Sequence, residues 1–127
     1  MQFEQLHYFV VSKLKNELPK HLSYHDVQHT LDVIQSAEIL AREENVTGED
    51  LTLLLTAALV HDTGYLEAYA GHEEISCSFA KTYLPQYEYT PEQVNRVCEM
   101  ILATRIPQDP KDLLSKILCD GDLFYLG

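Results

Sequence analysis

The stretch Leu51–Leu66, LTLLLTAALVHDTGYL, is a nearly unbroken apolar run that ends on His61 and Asp62. A helix that is apolar all round is packed on every side. This run is therefore expected to be the central helix of the domain. An imidazole and a carboxylate at its tip are costly to bury. An ionised carboxylate there has to be paired, protonated or bound to a metal. The unpaired carbonyls at a helix C-terminus also favour a cation. The run thus predicts a central helix with a metal ion at its end.

The flanking chain reads as helix almost throughout. Phe3, Leu6, Val10, Leu14 and Leu18 fall at helical spacing, and Pro19 stops that run. Ser23, with Asp26 three residues on, is expected to cap a second helix that ends near Glu44, with Val27, Leu31, Ile34, Ala37 and Ala41 as its inner stripe. The central helix is expected to start at Thr47, with Asp50 completing its cap, and to break at Gly64. A fourth helix is expected from His72 to about Leu84. Thr90-Pro91-Glu92-Gln93 is a helix start with a capping threonine, a first-turn proline and a glutamine to complete the box. Asp109-Pro110 is read as the start of the last helix, with Leu113, Leu114, Ile117 and Leu118 inward. The fold class is therefore all-α, a bundle of about six helices.

The chain has 127 residues, of which 46% are apolar and 23% charged, enough for one domain with a real core. A single domain over residues 1–127 is expected. A formal charge of -11 excludes duplex nucleic acid and anionic membrane as natural partners. It also repels a phosphate substrate unless a cation sits in the site. No apolar run is long enough to span a bilayer, and no signal segment opens the chain. Cys77, Cys98 and Cys119 are odd in number and form no CxxC, so they read as core residues in a reducing, cytoplasmic setting. The chain stops at Gly127 inside an apolar segment, which suggests a piece of a longer polypeptide with its C-terminal part missing.

The residues that a plain bundle does not need are His29, His61, Asp62 and Asp120. Asp120 stands three residues after Ile117 and is expected to continue the apolar face of the last helix. Two imidazoles and two carboxylates suit a divalent first-row ion (manganese, iron, cobalt, nickel or zinc) better than magnesium. Water on such an ion becomes a usable nucleophile near neutral pH. Each residue also has a plain reading: a helix cap for His61-Asp62, a half-buried rim position for His29, an exposed helix end for Asp120.

The pattern His29, His61-Asp62, Asp120 resembles the HD-domain superfamily of metal-dependent phosphohydrolases. The stretch Tyr24-His25-Asp26-Val27-Gln28-His29-Thr30-Leu31-Asp32-Val33 is similar to that family's YHNxxHxxDV, and His61-Asp62-Thr63-Gly64-Tyr65 to its HDxG turn. His72-Glu73-Glu74-Ile75-Ser76 resembles HExxS, and Cys119-Asp120-Gly121-Asp122-Leu123-Phe124-Tyr125-Leu126-Gly127 resembles DADLxxLG. The likeness covers residues 23–127. It implies an HD-domain helical bundle and hydrolysis of a small phosphorylated substrate, a nucleotide among the candidates. It also implies His29, His61, Asp62 and Asp120 as metal ligands. His25 would be the proton donor to the leaving group, and Asp62 would help to activate water. Surface placement is an equal reading of His25, and a helix-start role of His72.

Two-metal members carry two further histidines. His72 matches the first, but Thr104 stands where the second is found. That implies one tightly held metal, with His72 supporting it or on a weak second ion, and it weighs against a di-iron oxygenase. The alternative to the enzyme is a non-catalytic HD-like module that binds a metal or ligand and regulates an attached domain.

Overall fold

A computed structural model describes residues 1–18, 20–67, 71–105 and 107–124; of these, the side chains of 20–26, 123 and 124 are not described. Among the described residues there are six α-helices: α1 Phe3–Glu17, α2 Lys20–Glu43, α3 Gly48–Val60, α4 His72–Tyr83, α5 Pro91–Ala103 and α6 Leu113–Phe124. Short 3-10 turns follow α3 at Thr63–Leu66 and α4 at Leu84–Tyr87. No strand occurs among the described residues. The fold is all-α, as the periodicity predicts. No helix among them is long and apolar enough to cross a membrane.

The apolar run is the centre of the molecule. α3 packs against each of the other five helices. Leu54, Ala57, Ala58, Leu59 and Val60 are fully buried. Around it stand Leu6, Val10 and Leu14 of α1, Val33, Ala37 and Ala41 of α2, Val97 and Ile101 of α5, and Leu118 of α6. Burial of this order, roughly 1.5–3 kcal/mol per large aliphatic side chain, holds the bundle together. The tip of α3 is thereby fixed between α2, α4 and α6.

Several helix starts follow the sequence and others depart from it. The box at α5 forms as expected: the Gln93 backbone N–H donates to Thr90 Oγ1 at 3.2 Å, and the Gln93 side chain accepts from the Thr90 N–H at 2.8 Å. Thr47 is the N-cap of α3, but its side chain makes no capping bond. α2 begins at Lys20, so Ser23 lies inside the helix and does not cap it. α6 begins at Leu113, where Asp112 Oδ1 accepts from the Ser115 N–H at 2.9 Å. Asp109 instead gives its N–H to the Ala103 carbonyl and closes the loop after α5.

Candidate metal centre

The end of α3 is capped by side chains. The last carbonyls of a helix have no backbone donor and must find one elsewhere. The Ala58 carbonyl takes His61 Nδ1–H at 2.6 Å. The Val60 carbonyl takes the Thr63 hydroxyl at 2.8 Å, and the His61 carbonyl takes the Ser76 hydroxyl at 2.8 Å. A carbonyl can only accept, so Nδ1 of His61 carries a proton. In the neutral ring, Nε2 then presents a lone pair.

That Nε2 atom is buried, and it makes no hydrogen bond of acceptable geometry. Only it and the Thr30 hydroxyl are in that position among the described residues. It faces Asp62 Oδ2 at 3.2 Å and Asp122 Oδ1 at 3.4 Å. From α2, His29 Nε2 reaches the same oxygens, 3.0 Å from Asp122 Oδ1 and 3.6 Å from Asp62 Oδ2. One ligand atom each from His29, His61 and Asp122 lie within 4.8 Å of one another. A lone pair confronting two carboxylate oxygens is repulsive unless a positive charge sits among them. A proton meets that need, and so does a divalent cation.

The electrostatics express the same need. Burial works to lower the pKa of His61, but Asp62 and Asp122 outweigh it and hold the ring well above its ordinary value. The hydrogen bond with Asp122 raises His29. Burial pushes the Asp62 carboxyl up, yet His61 and then His72 and His29 draw it far below the usual carboxylate range. Asp122 is likewise lowered against the effect of burial, by His29 and His61.

His72 stands behind this group. Its Nε2 is 3.2 Å from Asp62 Oδ1, the oxygen turned away from His61, and its Nδ1 is 3.4 Å from Glu73. Its ring stacks on Tyr65 with centroids 4.0 Å apart. Asp62 thus uses one oxygen toward His29 and His61 and the other toward His72. Thr104 is buried and gives its hydroxyl to the Ile101 carbonyl at 2.6 Å, so it offers the cluster nothing. Arg105, at the surface, is held by Glu74 at 2.6 Å.

Of the four expected ligands, His29, His61 and Asp62 come together and Asp120 does not. Asp120 is exposed and lines a shallow surface hollow with Glu43, Glu44 and Lys116. Asp122 takes its place. The reason is helical phase: Asp122 lies one turn beyond fully buried Leu118, whereas Asp120 lies one turn beyond exposed Lys116. The close approach of Gly121 to α2 brings that face of α6 toward His29; a Cβ there would meet Ala37, Ser36 and Val33 at 3.5–3.7 Å. The buried stripe Leu114, Leu118 points to Asp122; counting from Ile117 picks the wrong edge of it. The side chain of His25 lies outside the described residues.

Residues 26–125 match the HD-domain family, and the chain belongs to it. It is similar to an uncharacterized protein of Clostridium beijerinckii, 29% identical over 101 residues that make up 77% of this chain and 64% of that one. Its fold is similar to the crystal structure of a predicted HD superfamily hydrolase from an uncultured Thermotogales bacterium. The TM-score is 0.74 at 25% identity, over 91% of this chain and 65% of the other. The chain thus spans a little under two thirds of the length of these relatives.

Proposed function

We propose that the chain carries the active centre of a metal-dependent phosphohydrolase, with His29, His61, Asp62 and Asp122 as ligands of a divalent ion and a small phosphorylated molecule as substrate. The observation that carries this reading is Nε2 of buried His61, which makes no hydrogen bond and is turned to two carboxylate oxygens. The mixed imidazole and carboxylate set suits manganese, iron, cobalt, nickel or zinc. Such an ion, when bound, supplies a Lewis acid for the phosphoryl group and acidifies water. It also supplies the positive charge that a protein of net charge -11 lacks.

The chain's own residues do the rest. His61 Nδ1–H, tied to the Ala58 carbonyl, fixes the ring so that Nε2 faces the centre. Asp62 is kept ionised by the imidazoles around it and is available to orient an attacking water. His72 holds its outer oxygen, and Glu73 holds the other ring nitrogen of His72. His25, one turn before His29 on α2, is the proposed proton donor to the leaving oxygen. Thr104 supports a single tightly held ion, since its hydroxyl is spent within α5. The complete set of ligand types weighs against a non-catalytic module.

The test is to purify the chain without chelator, measure bound metal, and follow nitrophenol release from mono- and bis-nitrophenyl phosphates with manganese. Turnover that depends on metal and is lost in Asp62→Ala supports the enzyme. Stoichiometric metal without turnover on any ester or nucleotide points instead to the binding module.

A further inference from the structure

Ser76 sits in the middle of α4, fully buried, and its hydroxyl bonds outside its own helix. Helical serines and threonines usually bond back to the carbonyl four residues earlier. Thr56 and Thr82 do so, at 2.7 and 3.0 Å. Ser76 Oγ instead leaves its helix. It donates to the His61 carbonyl at 2.8 Å and accepts the Gly64 N–H at 2.8 Å. These two backbone groups flank Asp62 and Thr63, the turn that follows α3. The Tyr65 N–H goes to the Asp62 carbonyl, so the His61 carbonyl has no donor from the turn itself. Buried backbone groups of this kind are seldom left unpaired.

A second contact ties the same two elements. Gly64 lies directly on the start of α4, where a Cβ would fall 1.9 Å from the His72 carbonyl oxygen. The turn and α4 are therefore in backbone contact at Gly64 and hydrogen-bonded through Ser76.

We propose that Ser76 is a positioning residue for the metal centre: by bonding the His61 carbonyl and the Gly64 amide it sets the turn that aims His61 and Asp62, and so sets the affinity for the ion. The inference rests on the metal-centre reading above. Ser76 touches no ligand atom, and it acts through the main chain of the residues that do. Partners that orient metal ligands typically account for roughly 10- to 100-fold in metal affinity.

The experiment compares the wild-type chain, Ser76→Ala and Thr56→Val, with Mn²⁺ and Zn²⁺ titrated by calorimetry. Thr56, in α3 but away from its tip, bonds Tyr89 at 2.7 Å, so its loss tests stability alone. Ser76→Ala is expected to weaken the ion by roughly 10- to 100-fold, with Thr56→Val unchanged. Equal affinity in Ser76→Ala and wild type would overturn the proposal, as would equal losses in both variants. Hydrogen exchange of the wild-type Gly64 amide serves if Ser76→Ala does not fold. Protection on the level of the α3 amides supports the brace, and rapid exchange overturns it. A wild-type chain that bound neither ion yet protected Gly64 would sink the metal centre and leave the brace standing.

Discussion

Nε2 of His29, on α2, lies 3.0 Å from Oδ1 of Asp122, near the end of α6. This contact joins the two helices across the tip of α3, and it singles out Asp122 from its neighbour Asp120. Asp122→Asn is expected to lower metal affinity by more than about 100-fold, beyond what loss of a supporting partner costs. Asp120→Asn is expected to leave affinity unchanged and stability within about 0.5 kcal/mol. Parallel calorimetric titrations decide it; equal losses would restore Asp120 as a ligand.

The imidazoles of His29, His61 and His72 all have pKa values raised above 6.5 in the folded chain. Their contribution to stability in the metal-free chain is complete below 6.5 and is lost as pH rises through the raised values. Asp62 and Asp122 are lowered from 3.8, so their contribution is present above 3.8 and is lost as pH falls through the lowered values. The metal-free chain is thus expected to be most stable between about pH 4 and pH 6.5. Denaturant titration across pH checks this, and an optimum above pH 8 would contradict it.

Metal uptake has the opposite dependence. The ion competes with the protons that hold His29 and His61, so its affinity is expected to rise with pH and its binding to release protons. Calorimetry in buffers of different ionisation enthalpy counts them. No proton release near pH 6.5 would mean that the rings are already neutral and the cluster is not held by charge.

Gly64→Ala is expected to cost about 1–3 kcal/mol, because the new Cβ collides with backbone at His72 and not with a side chain that can turn aside. Chemical denaturation measures the loss. A neutral effect would show that α4 and the turn are not locked together.

The helical class and the central helix were legible because burial imposes a 3.6-residue period that Leu6, Val10 and Leu14, or Val97 and Ile101, display openly. The box at Thr90 and Gln93 was legible because its chemistry is local. His29, His61 and Asp62 stand out in the sequence as polar residues on faces that have no use for them, and the fold brings them side by side. Asp122 was missed because the choice between Asp120 and Asp122 turns on the phase of α6, and two acids two residues apart lie on different faces of a helix. The cap of α6 at Asp112 was missed for a related reason, since Asp109 and Asp112 both stand where a cap could be. The part played by Ser76 is set by packing between α3 and α4, and no local pattern in α4 encodes it.

The proposed centre places one ion among His29, His61, Asp62 and Asp122. Crystals grown with Mn²⁺ or Zn²⁺ and measured at that metal's absorption edge test it most directly. One strong anomalous peak is expected at bonding distance, about 2.0–2.2 Å for zinc, from Nε2 of both histidines and from an oxygen of each aspartate. Anomalous density elsewhere on the chain, with those four side chains joined only by protons, would contradict it.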